Sequence, residues 1–174
     1  MNPGRIADEA QPDVGTDDRP GDARAVDAAL AAANVMMRVA ARSVLEVEDL
    51  VTTPQLRVLM LVALSGPQNL GAVASELGVH PSNATRTCEK LVQAGLILRA
   101  EDPSDRRYTL VELTEPGREL VEHVLSRRRA AMQEVFAAMS EGDRAQTAAA
   151  FARFAEAAGG EPTRDGRFLL SLGS

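Results

Sequence analysis

The sequence predicts a mostly α protein with a small β wing, on three observations. Residues 70–113 hold, in order, two short helix patterns and a polar-tipped hairpin. An apolar stripe of heptad-like spacing runs through residues 26–47, and further apolar-faced helices follow residue 114. Hydrophobic residues make up 45% of the 174 but aromatics only 3%, a balance carried by alanine and leucine that favours helix.

Each element has its own signal. Residues 1–20 are polar, acidic and broken by Pro3, Pro12 and Pro20, the composition of a disordered acidic tail. From about residue 22, Val26, Leu30, Ala33, Met37, Ala40, Val44 and Val47 step alternately by four and three. Val35, Met36, Val39 and Leu45 widen that stripe, so this helix expects burial on two sides. Thr53 followed by Pro54 reads as a hydroxyl cap and a proline at the first helical position; the helix stops at Ser65-Gly66-Pro67. Asn69 caps LGAVASEL, which ends at Gly78, and Pro81 opens SNATRTCEKLVQA, which ends at Gly95. In that helix Ala84, Cys88, Leu91 and Val92 make one inward face, while Ser82, Asn83, Arg86, Glu89, Lys90 and Gln93 point elsewhere. Leu96–Leu98 and Tyr108–Leu113 read as strands joined by the polar turn EDPSDRR. Thr114 caps a long helix to about residue 139. Ser140 with Asp143 three positions on starts a last one, bearing Ala148, Phe151, Phe154 and Ala155.

The middle of this order is a winged helix-turn-helix, flanked by N- and C-terminal dimerisation helices. The expected divisions are an acidic tail (1–20), a helical dimerisation region (21–50 with 114–158), a winged helix-turn-helix (51–113) and a C-terminal tail (159–174). Surplus apolar helix at both ends predicts a homodimer. A helix displaying Ser82, Asn83, Arg86 and Lys90, followed by a loop tipped with Arg106 and Arg107, suits duplex DNA. The helix enters a major groove and the arginine tip the neighbouring minor groove.

The formal net charge of −6 argues only against non-specific coating of nucleic acid, because its distribution is uneven. Asp8, Glu9, Asp13, Asp17, Asp18 and Asp22 face only Arg5 and Arg19, whereas residues 76–109 are balanced. Lys90 is the single lysine, and every other basic side chain is arginine, the better bidentate partner for phosphate and guanine. The sequence reading finds no apolar run long enough for a membrane span and no signal segment, so a cytoplasmic protein without membrane partners is expected. One cysteine excludes an internal disulfide framework.

Residues 53–118, with DPSDRR a few residues after AGL and a few before LTEPG, resemble the MarR family of bacterial transcriptional regulators. The helix order extends the likeness over roughly residues 22–158. The resemblance implies a homodimer on a palindromic operator of double-stranded DNA, released by a small phenolic or lipophilic effector or by an oxidant. By position it assigns Ser82, Asn83, Thr85 and Arg86 to base edges and flanking phosphates. It makes Asp105 the brace of an Arg107 that enters the minor groove, with Arg106 beside them on phosphate. His80 departs from the pattern, standing where relatives usually place a serine or aspartate cap before the proline. Either the start of this helix is less well capped, or its imidazole takes over the cap or touches DNA.

Lys90 is a candidate phosphate contact, and Arg57 a weaker one. Cys88 falls on an inward face and reads as a small buried hydrophobe, with a thiol switch as the alternative. Met36, Met37 and Met60 are candidates for an effector pocket, against the commoner reading of methionine as core. Of Arg127, Arg128 and Arg129, one, Arg128, is expected to meet an acid across the dimer and the others to be solvated. His80 and His123 are too far apart in sequence to suggest a metal site, and no cofactor is expected. A winged-helix dimer used for protein–protein contact is the alternative function. It would call for a neutral, aromatic recognition face in place of Asn83 and Arg86. No nucleophile–base pair or phosphate-cradling loop suggests an enzyme.

Overall fold

The computed structural model describes residues 20–102 and 109–159. The order is α1 (Pro20–Leu45), α2 (Thr53–Ser65), β1 (Gln68–Asn69), α3 (Leu70–Leu77), α4 (Pro81–Gln93), β2 (Ile97–Glu101), β3 (Thr109–Leu113), α5 (Glu115–Ala137) and α6 (Glu141–Ala157). The three strands form one antiparallel sheet in the order β1-β3-β2.

The chain divides into two compact units that meet in sequence between Met36 and Met37. The described part of the first is helical, with Val26 and Leu30 more than half exposed. In the second, Ala40, Ser43 and Val47 are buried, so the heptad-spaced stripe goes from bare to covered along its length. By length and composition alone Asp22–Leu45 is apolar enough to cross a membrane, although its apolar runs are short. Alanine raises the window's hydropathy without making an unbroken apolar run, and Arg24, Asp27, Arg38 and Arg42 are spread along the helix.

The core of the second unit is built around α2. Five consecutive residues, Val58 to Val62, are buried there, and Leu59 and Val58 are fully enclosed. A helix buried all round carries no amphipathic signal, and its covers come from α3, α4, β3 and α5. Its cap is Thr52, not Thr53 as the sequence suggested. Only Thr52 has a glutamine three residues on: Gln55 Oε1 accepts from the Thr52 amide at 2.8 Å and from its hydroxyl at 2.9 Å.

The other caps follow the sequence. Asn69 Oδ1 accepts from the Ala72 amide at 2.8 Å, Thr114 Oγ1 from Gly117, and Ser140 Oγ from Asp143. The two-residue strand β1 was missing from the sequence reading. It pairs Gln68 with Val111 and Asn69 with Leu110, and two residues are too few to show alternation.

A clasp joins the end of α4 to the start of α5. Thr114 Oγ1 donates to the Gly95 carbonyl at 2.6 Å, and the Thr114 amide donates to Leu96 at 3.2 Å. Gly117 packs so closely that a Cβ there would collide with the Leu96 carbonyl oxygen. Helix α6 differs from all of this: none of its residues is buried, and Phe154 is 59% exposed.

Candidate nucleic-acid interface

Helix α4 separates its faces cleanly. Ala84, Cys88 and Leu91 are fully buried, fixing one side of the helix against the core. At about 100° per residue, Ser82, Asn83, Arg86 and Lys90 fall within an arc of about 100° on the opposite side. All four are exposed. Val92, expected on the inward face, is 37% exposed instead. It lies about 80° round the helix from Ala84, at the margin of a row that only three residues occupy.

Thr85 is half-buried, and its hydroxyl donates to the Pro81 carbonyl at 3.0 Å. That proton is committed to the helix backbone, which leaves Thr85 acceptor capacity and a methyl group for any partner. Asp105, Arg106 and Arg107 lie outside the described residues. The strands that carry them, β2 and β3, are in register from Ile97 opposite Leu113 to Glu101 opposite Thr109.

Two contacts hold this region together. Arg99 on β2 reaches Glu89 on α4 at 3.7 Å, so one acid of the helix is occupied by the wing strand. Between two groups about half exposed, such a pair contributes little stability, and its value is in orienting the strand against the helix. The second is the cap of α4. The imidazole of His80 accepts from the Ser82 amide through Nδ1 at 3.3 Å, and Ser82 Oγ lies 2.8 Å from the same nitrogen. Of the two roles considered for His80, the structure displays the cap. The signal was there in the sequence as a histidine followed by proline and serine, but histidine is not among the strong cap formers.

Cys88 is buried, as its position on the helix implied. Burial pushes its thiol pKa up, Arg99 pulls it down, and Glu89 raises it further. The net upward direction disfavours the thiolate that oxidation requires.

On α5 Arg127 departs from expectation. Arg127 Nε lies 2.9 and 2.7 Å from the two oxygens of Glu46, and His123 Nε2 lies 3.5 Å from that carboxylate. Arg127 is thus paired within its own chain, not simply solvated. Arg128 donates through Nε to Ser43 Oγ at 2.7 Å, and Ser43 passes its own proton to the Ala40 carbonyl. Its Nη1 is buried without an acceptor among the described residues, and burial lowers its pKa from the usual guanidinium range.

Of the three candidate pocket methionines, Met60 is part of the core and Met37 is 49% exposed. Met36 belongs to the first unit. An open depression of about 430 Å³ lies elsewhere, walled by Val47, Leu50, Leu96 and Leu120 with Glu119 and His123 on its rim. Among the described residues no three His, Cys, Asp or Glu side chains gather as a metal site would require.

The MarR family model matches residues 51–109, from just before α2 to the first residue of β3. The transcriptional repressor MdtR of Bacillus subtilis is 33% identical over 108 residues, 62% of this chain and 70% of that one. The crystal structure of Rv1404 from Mycobacterium tuberculosis is 34% identical, with a TM-score of 0.68 over 84% of this chain and 99% of that chain. A mutant of Staphylococcus aureus MepR bound to an oligodeoxyribonucleotide shares the fold at a TM-score of 0.55 and 20% identity, over 72% of this chain and 91% of that one.

The chain belongs to the MarR family. It is a transcriptional regulator of a DNA-binding, non-enzymatic class. The bare row of Ser82, Asn83, Arg86 and Lys90 on α4 falls inside the stretch that the MarR family model matches.

Proposed function

We propose that this MarR-family regulator works as a homodimer on a palindromic operator, as a repressor that lets go when a small lipophilic or phenolic molecule binds. The observation that carries the reading is the division of α4 into a sealed apolar row and an opposite polar row of Ser82, Asn83, Arg86 and Lys90. In each lobe Ser82, Asn83, Thr85 and Arg86 meet base edges and flanking phosphates, with Ser82 on a base edge, and Lys90 lies on phosphate. Arg107, braced by Asp105, enters the minor groove, with Arg106 on the backbone beside it. The MepR complex with an oligodeoxyribonucleotide supports DNA as the partner of this fold.

Dimerisation falls to residues 21–50 and 114–158. Support comes from the bare stripe of α1 and the exposed phenylalanines of α6, which leave apolar surface that a lone chain does not cover. Repression has support in the name of MdtR. For the effector, the apolar depression beside the α4–α5 clasp offers room that the enclosed Met60 does not. A ligand there acts on the spacing of the two recognition helices, whose half-sites lie about 34–36 Å apart.

The experiment is selection of bound fragments from a random-sequence duplex pool, repeated with Arg86→Ala. Inverted half-sites one helical turn apart are expected, with Arg86→Ala losing discrimination by about 1–3 kcal/mol at one base pair per half-site. Enrichment of no motif sinks the reading and favours the protein-contact alternative.

A further inference from the structure

The two contacts at the head of α4 fix more than a cap. The Ser82 amide donates to His80 Nδ1 at 3.3 Å, and Ser82 Oγ lies 2.8 Å from the same atom. An amide N–H can only donate, so Nδ1 must hold a lone pair and the ring proton must sit on Nε2. With no hydrogen on Nδ1, the 2.8 Å contact has one polarity: the Ser82 hydroxyl donates to His80. A serine hydroxyl has a single proton. Once that proton points at His80, the exposed oxygen offers only lone pairs to whatever approaches.

We propose that His80 is a positioning residue that sets the hydrogen-bond polarity of Ser82, making this hydroxyl an acceptor toward the operator. The proposal rests on the reading that Ser82 meets base edges. In the major groove an acceptor finds the exocyclic amines of adenine and cytosine and is refused by guanine O6 and N7, thymine O4 and phosphate oxygens. Ser82 therefore selects an amino base on the strand it touches, where a freely rotating serine would take either class.

The test uses the full chain and a random-sequence duplex pool. Wild type, Ser82→Ala, His80→Ala and His80→Asn are compared, since asparagine caps through a carbonyl oxygen that likewise accepts from Ser82. At one position per half-site the wild type is expected to prefer one class, amino or keto, by about two- to tenfold, the worth of one hydrogen bond. Ser82→Ala and His80→Ala show no preference there, and His80→Asn keeps it. In parallel, ¹⁵N NMR of the free protein should place the His80 proton on Nε2. A proton on Nδ1, or a Ser82-dependent preference that His80→Ala retains, overturns the polarity assignment and leaves the contact standing. Identical selections by wild type and Ser82→Ala overturn the contact itself, and the proposal with it.

Discussion

Helices α4 and α6 are both amphiphilic on paper, and the structure treats them oppositely. In α4 three small or medium apolar side chains, Ala84, Cys88 and Leu91, vanish completely into the core, and apart from Pro81 and Val92 at its edge the outer surface is polar. In α6 nothing is buried, and Phe151 and Phe154 remain 36% and 59% exposed. The first helix is finished within one chain and presents a face that water tolerates, ready for a polyanion. The second is unfinished, and two aromatic rings in water ask for another apolar surface. The contrast supports the proposal that recognition falls to α4 and assembly to α6 and the bare part of α1.

The strongest way to break this contrast is to make α6 as polar as the outer face of α4. Phe151→Asp with Phe154→Asp removes the apolar surface while leaving residues 51–113 untouched. If α6 belongs to the dimer interface, sedimentation should give a monomer. Operator affinity should then fall by about a hundredfold or more, because the second lobe no longer binds at high effective concentration. A double variant that stays dimeric and binds normally would move the interface off α6.

On the α4 side the wing supplies the next largest effect. Arg107→Ala is expected to weaken all duplexes alike and to lower the slope of log affinity against log salt by about one. Arg86→Ala, by contrast, acts on sequence preference. Titrations at several salt concentrations separate the two, and equal salt slopes for wild type and Arg107→Ala would take the arginine off the DNA.

A smaller effect sharpens how α4 is held. Gly117 sits where any Cβ meets the Leu96 carbonyl, inside the clasp that Thr114 makes with Gly95 and Leu96. Gly117→Ala must push α5 away from the end of the recognition helix. The expected cost is about 1–3 kcal/mol of stability, measured by urea unfolding, with a loss of operator affinity beyond that loss of folded protein. Wild-type stability in the variant would mean that the junction is loose.

How far the sequence carries is visible in these same helices. The inward row of α4 was legible because Ala84, Cys88 and Leu91 repeat at helical spacing, and Val92 misled because it stands at the edge of that row. The caps at Asn69, Thr114 and Ser140 were legible because a single side-chain oxygen decides each. The start of α2 was misplaced by one residue because two threonines compete, and only the reach of Gln55 back to Thr52 separates them. Contacts between residues distant in sequence, Glu89 with Arg99 and Glu46 with Arg127, leave no periodic trace. The cap by His80 stood only as one alternative for another reason: its chemistry depends on which ring nitrogen holds the proton, and the letters do not record that.

The smallest effect concerns Cys88, in the sealed row that makes α4 complete. Burial, the largest influence on this thiol, keeps it protonated in the folded chain at pH values where the unfolded chain has begun to lose the proton. The folded state then binds more protons than the unfolded one. Stability attached to this group is intact below the ordinary thiol value of about 8.5 and declines as pH rises above it. Urea midpoints of wild type should drift downward between about pH 8 and pH 10 relative to Cys88→Ala, and the two should run parallel below that range. The same protonated thiol predicts that peroxide at neutral pH leaves operator binding unchanged, since oxidation proceeds through the thiolate. Release of DNA by peroxide in wild type but not in Cys88→Ala would reverse the assignment. The buried row of α4 would then be a sensor as well as a foundation, and the division of labour between α4 and α6 would no longer hold.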